Sequence, residues 1–184
     1  FEMLKNYIKP GLTEKQIARK IHDYYMDNSE GESFSAIVAS GENSSKPHAV
    51  PTDRTIQKKD IITIDMGCIV NGYCSDMTRT IFVGEITEEQ KNIYNLVLKN
   101  QKIALNQIRD GANIKAIVKG VESDFNLNQN TLIHSLGHGV GLEIHEAPIV
   151  GIKSDFNLKE NMVITDEPRN IYSRKFWSKN RRYS

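Results

Sequence analysis

Apolar residues recur at helical spacing in three stretches of this chain. Ile17, Ile21, Tyr24 and Tyr25 form a stripe that predicts a helix to about Asp27. Thr13-Glu-Lys-Gln16 opens it as a capping box, the Thr hydroxyl and the Gln side chain satisfying first-turn amides. Before it, residues 2–8 read as the end of another helix, stopped by Pro10-Gly11. Ile93, Leu96, Val97, Ile103, Ala104 and Ile108 predict a long helix to about Arg109, opened by the capping box Thr87-Glu-Glu-Gln90 and broken by Asp110-Gly111. Asn113 to Val121 predicts a third helix.

Elsewhere the period shortens. Ser35–Ser40 and Ile61–Asp65 are short β-branched runs, and Tyr73–Val83 reads as a strand with Asp76 inside it. Met162–Thr165 predicts a strand ending at Asp166-Glu167-Pro168, and the histidine-rich stretch around 134–148 a further strand region. Polar loops occupy 28–32, 41–51 and 151–158, and His48 lies in the second. The alternation of helices and strands predicts an α+β domain with helices on one face of a curved sheet.

Composition adds three points. With 184 residues, 39% hydrophobic and 26% charged, the chain is long enough for one domain with a sizeable core. No apolar run reaches the roughly 18 residues of a membrane span. Cys68 and Cys74 are too few for a disulfide framework, which points to a reduced, cytoplasmic setting. The opening FEMLKNYIKPG reads as the middle of a helix, so the expectation is a fragment of a longer protein.

The chemistry concentrates in His134-Ser-Leu-Gly-His138-Gly-Val-Gly-Leu-Glu-Ile-His145-Glu-Ala-Pro148, where glycines at 137, 139 and 141 let the backbone approach a ligand closely. Hairpin pairing would bring Asp65 and Asp76 to one spot, although each alone reads more readily as a turn or cap aspartate than as a ligand. Glu167 alone fits a surface carboxylate, His138 a core histidine and His48 a loop histidine. Together, two Asp, one Glu and His138 form a mixed N/O donor set suited to Mn, Co, Fe or Zn. The spacing matches neither HExxH nor a cysteine zinc site.

IDMG (64–67), GYCSDMTRT (72–80), HSLGHGVGLEIHEAP (134–148) and MVITDEP (162–168) closely resemble the pita-bread metallopeptidases, with the Xaa-Pro branch favoured by His134 and SDMTRT. The resemblance covers essentially residues 1–168. It implies a pita-bread fold, here truncated at both ends, in which pseudo-twofold halves surround two divalent ions, Mn foremost. It implies metal ligation by Asp65, Asp76, His138 and Glu167, with Glu167 also the proton acceptor. His48, His134 and His145 then match the family's substrate and transition-state histidines. The implied activity is an Xaa-Pro aminopeptidase, with an Xaa-Pro dipeptidase or a non-catalytic binding protein as alternatives. The implied partners are a proline-containing peptide and, for the full-length parent, further copies of itself, with no nucleic acid and no membrane.

The resemblance stops at Pro168. The family's fifth ligand is a glutamate in a Val-Arg-Ile-Glu-Asp phrase, and this chain has no acid after Glu167. Residues 169–184 hold six Lys or Arg; removing those six from 24 basic groups leaves 18 against 23 acidic ones, a net of −5 over residues 1–168. A family-like phrase, GIYIPGSFGVRIEDTV, accounts for this tail. An AT-rich spelling of it, read after one inserted A, translates as RNIYSRKFWSKNRRYS, the tail at every position. The expectation is therefore two segments: a catalytic domain, 1–168, and an out-of-frame basic tail, 169–184, with Arg181 where the glutamate belongs. A solvated basic tail, or a nucleic-acid or membrane patch built on the six basic residues with Phe176, Trp177 and two tyrosines, are the rival readings.

Overall fold

The computed structural model describes residues 1–46, 48–128, 130, 132, 135–172, 176–179 and 182–183, the last three ranges after Pro168 by backbone alone. Helix α1 spans Glu2–Tyr7 and α2 spans Glu14–Asn28, the latter opened by the Thr13/Gln16 capping box. Strand β1 is Ile37–Ser40, followed by a 3₁₀ turn at Gly41–Ser45. Strands β2 (Ile61–Met66), β3 (Ile69–Val70), β4 (Tyr73–Cys74) and β5 (Met77–Phe82) follow. Helix α3 spans Glu88–Leu105, again with its capping box, and α4 spans Ile114–Leu127, capped by Asn113. Then come β6 (Gly137–Gly139), β7 (Glu146–Val150), β8 (Thr165–Asp166), β9 (Arg169–Tyr172), β10 (Phe176–Lys179) and β11 (Arg182–Tyr183).

Every strand pairing among the described residues is antiparallel. β2 is flanked by β1 and β5, with Asp65 opposite Ile37 on one side and Thr78 on the other. Its six residues are all buried, as a central strand requires. β6 pairs with β7, and Gly139 bridges to Ile164, so β6 lies between β7 and the chain leading into β8.

A hydrogen-bonded bracket recurs along the chain, 100 residues on at its helix side and 102 at its partner side. Gly11, at φ +96°, donates its N–H to Ile56 O, Ile56 returns one to Leu12 O, and Glu14 N–H donates to Arg54 O. Gly111, at φ +75°, donates to Leu158 O, Leu158 returns one to Ala112 O, and Ile114 N–H donates to Phe156 O. Thr13 bridges Thr55 just as Asn113 bridges Asn157. Each bracket turns the chain into a helix, and each helix covers its own core. Leu4, Ile17, Ile21, Val38, Ile62 and Ile64 belong to the first; Ile114, Val118, Val121, Phe125, Leu136 and Ile164 belong to the second.

Several boundaries differ from the sequence reading. The strand predicted over Tyr73–Val83 is broken at Ser75 and Asp76, so Asp76 sits between strands. The break has a packing cause: Ser75 is drawn in by Cys68, to whose carbonyl its N–H donates at 2.8 Å, and by Ser33, whose hydroxyl donates to Ser75 O at 2.7 Å. Helix α3 ends at Leu105, not Arg109; beyond it Gln107 folds back and donates to Ile103 O at 3.0 Å, satisfying a terminal carbonyl. Helix α4 continues past Val121 because Phe125 extends its buried face. Tyr24 is 48% exposed and leaves the apolar stripe of α2 to its neighbours. The strand predicted over Met162–Thr165 shifts to Thr165–Asp166.

Candidate metal centre

Asp76, His138 and Glu167 come together from three separate parts of the chain. One ligand atom from each lies within 4.8 Å of the others. His138 Nε2 is 3.2 Å from Glu167 Oε1 and 3.6 Å from Asp76 Oδ2. All three residues are buried, Asp76 to 1% exposure.

The backbone explains the convergence. His138 is the middle residue of β6, and its N–H donates to Thr165 Oγ1 at 3.0 Å. The same hydroxyl donates to Glu167 Oε1 at 3.0 Å, and Glu167 N–H donates to Leu136 O at 2.8 Å. Thr165 thus ties the imidazole-bearing strand to the carboxylate. Gly137 is what permits the approach: a Cβ there would lie 1.9 Å from Thr165 O. A Cβ at Gly139 would lie 2.4 Å from Ala147 O. Neither glycine has a positive φ, so these glycines serve strand-to-strand closeness rather than tight turning.

The protonation of His138 follows from its partners. Nδ1 lies 2.9 Å from Gly139 O, and a carbonyl only accepts, so Nδ1 carries the proton. In the neutral ring Nε2 then turns a lone pair toward two carboxylate oxygens. Lone pair against carboxylate in a buried pocket is repulsive unless a cation lies between them or Nε2 takes a second proton. A backbone carbonyl fixing the far nitrogen is also the usual support of a metal-binding histidine. The donor set of one nitrogen and two carboxylates therefore fits a divalent ion.

Asp65 is buried, accepts from Thr78 Oγ1 at 2.7 Å, and stands across the sheet from Thr78, two residues beyond Asp76. It is not one of the three residues whose ligand atoms come within 4.8 Å of one another. His145 is exposed, and its ring centroid is 4.3 Å from that of His138. His48 is exposed on the loop after the 3₁₀ turn. His134 and Arg181 lie outside the described residues. Arg182 is the register partner of Asp166 and Tyr183 of Thr165, so β11 pairs with β8, the short strand just before Glu167.

Sequence reasoning missed Thr78 and Thr165, whose hydroxyls orient Asp65 and Glu167. The only available signal was a threonine two residues from an acid in each motif, which is too common to single out. It also missed Glu14, read only as part of a capping box. Cys68 and Cys74 are both free thiols, and burial followed by the nearby Glu146 charge pushes the Cys74 thiol above its usual value. No helix among the described residues is long and apolar enough to cross a membrane.

Comparison with known proteins adds the following. Residues 1–182 match the model of metallopeptidase family M24. An Xaa-Pro dipeptidase of Pyrococcus furiosus is 42% identical over 166 residues, covering 88% of this chain and 47% of its own length. Among solved structures, an X-Pro aminopeptidase from Thermotoga maritima superposes with a TM-score of 0.94 at 34% identity, over 100% of this chain and 53% of its own. A dipeptidase from Pyrococcus horikoshii superposes at 0.96 with 35% identity, over 100% of this chain and 52% of its own. The chain spans about half the length of the curated relatives it matches.

Proposed function

Because this chain belongs to metallopeptidase family M24 and carries its pita-bread fold, we propose that it derives from an enzyme hydrolysing the bond between an N-terminal residue and a following proline. The observation that carries this reading is the buried cluster of Asp76, His138 and Glu167. Sequence reasoning placed the aminopeptidase ahead of the dipeptidase. The names of the relatives at 42% and 40% identity, both Xaa-Pro dipeptidases, favour the dipeptidase.

Asp76, His138 and Glu167, together with Asp65, would hold the metal, Mn foremost and Co, Zn or Fe as alternatives. A divalent ion there supplies Lewis acidity, polarising a carbonyl and making water acidic near neutral pH. The chain's own groups do the rest. Glu167, held by Thr165, accepts a proton from the attacking water and passes it to the departing proline nitrogen. His145, next to His138, and His134 donate hydrogen bonds to the oxygen that gains charge. His48 holds the substrate from its loop. The substrate is a proline-containing peptide, and the parent protein is a cytoplasmic homo-oligomer.

The chain as it stands is impaired in this scheme. Asp65, Asp76 and Glu167 bring three negative charges to two divalent ions, and a fifth carboxylate would bring neutrality. Arginine at position 181 adds repulsion instead. The domain proper is residues 1–168, and residues 169–184 are an out-of-frame reading. Isothermal titration with Mn²⁺ tests this: about one ion per chain is expected here, and about two when GIYIPGSFGVRIEDTV replaces residues 169–184. Robust metal-dependent cleavage of an Xaa-Pro peptide by the unaltered chain refutes the impairment. A restored chain with neither metal nor turnover favours the non-catalytic binding protein.

A further inference from the structure

Glu14 is a carboxylate with no solvent exposure at the first position of α2, outside the metal cluster. Its two oxygens divide their work. Oε1 accepts from Ser40 N at 2.7 Å and Ser40 Oγ at 2.7 Å; Oε2 accepts from Thr52 N at 2.9 Å and Thr52 Oγ1 at 2.6 Å. Asn43 Nδ2 spans both oxygens at 3.2 Å. Ser40 is the last residue of β1, and Thr52 is where the loop returns toward the first bracket. One carboxylate therefore closes both ends of the segment 41–51 and holds Asn43 inside it. That segment carries His48.

The hub extends outward. Arg54 Nη1 donates to Ser40 Oγ at 2.7 Å, and the guanidinium forms a two-pronged pair with Asp60 just before β2, Nη1 to Oδ2 at 2.6 Å and Nη2 to Oδ1 at 2.9 Å. The hydrogen bond to Asp60 keeps the Arg54 guanidinium above even its usual high pKa. Burial pushes the Glu14 carboxyl up, but the bonds from Thr52 and Ser40 outweigh it and hold the group below its usual value.

The second half shows that the fold does not need this charge. Ile114 occupies the same place in the equivalent bracket, is equally buried, and belongs to the apolar core. The backbone bracket forms with either side chain. A buried carboxylate is costly unless every lone pair is used, and here each is spent on the loop.

We propose that Glu14 is the positioning residue of the 41–52 loop, fixing where His48 is presented to substrate. The substrate half of this inference rests on the role proposed above for His48. Amide hydrogen exchange tests the first half on the whole chain carrying Glu14→Gln or Glu14→Ile. Exchange in residues 41–52 is expected to speed up about tenfold, the loss of a charge-assisted closure, while β2 and α4 stay as they were. Binding of the dipeptide Leu-Pro, measured by calorimetry with Mn²⁺ present, is expected to weaken about tenfold, with Mn²⁺ affinity unchanged. Unchanged exchange in 41–52 overturns the proposal. Equal acceleration in α4 also overturns it, because Glu14 would then be a residue of global stability. A third variant, His48→Ala, separates the two readings. If it binds Leu-Pro as well as the parent chain, the role of His48 falls and the substrate half falls with it, while the exchange result still decides whether Glu14 holds the loop.

Discussion

Glu14 and Ile114, 100 residues apart, stand at the same point of two brackets with the same hydrogen-bond pattern. One takes hydrogen bonds from Ser40, Asn43 and Thr52, and the other packs with Val118, Val121 and Phe125. The first half commits this position to the polar loop that carries His48. The second half commits it to a core, and its polar machinery sits elsewhere, on β6 and β8. A repeated backbone thus tolerates opposite chemistry at one position, provided each side chain finds its own kind of partner.

The harshest way to break this comparison is to force the halves to match. Ile114→Glu would bury a carboxylate with none of the donors that Ser40 and Thr52 supply to Glu14. A loss of about 4 kcal/mol in unfolding free energy by urea titration is expected. A loss under about 1 kcal/mol would mean that the second bracket opens to water and the halves are less alike than they look.

The caps sharpen the comparison, because there the halves should agree. Thr13 Oγ1 accepts from Gln16 N at 3.2 Å, and Asn113 Oδ1 from Ala116 N at 3.1 Å. Thr13→Ala and Asn113→Ala should each cost about 1 kcal/mol in thermal unfolding. A clear inequality would show that one helix depends on its cap more than the shared geometry implies.

The smallest effect expected is on acidification. Because the folded-state pKa of Glu14 is lowered, its contribution is complete above the unfolded value of about 4.5 and is lost as pH falls through the lower folded value. Arg54 stays charged throughout, and Asp60, paired to it, is the other acid of this hub. Corrected for intrinsic rates, exchange in 41–52 should rise below about pH 4 while exchange in α4 does not. Parallel rises in both segments would remove the distinction.

Much of the site was legible in the chain because its residues sit in unusual company. Three histidines spaced by glycines, and aspartates in β-branched runs, are rare combinations, and the capping boxes of α2 and α3 announced themselves by type and spacing alone. The roles of the glycines were less legible. Gly137 is required by Thr165 O, a contact between residues 28 positions apart that no local pattern encodes. The break at Asp76 likewise comes from Ser33 and Cys68, which draw Ser75 out of the strand.

The sequence by itself determined the helices with their capping boxes, most of the apolar faces of α2, α3 and α4, and the kinds of donor in the cluster, because these depend on residue type and near-neighbour spacing. It also carried the reading-frame argument for residues 169–184, which is a matter of codons and not of contacts. Only the tertiary structure decided that Asp76, His138 and Glu167 meet, and that Glu14, a first-turn carboxylate, is a buried hub rather than an exposed one. Those outcomes depend on which distant donors reach each carboxylate, and a buried charge is tolerable only where such donors arrive from elsewhere in the fold.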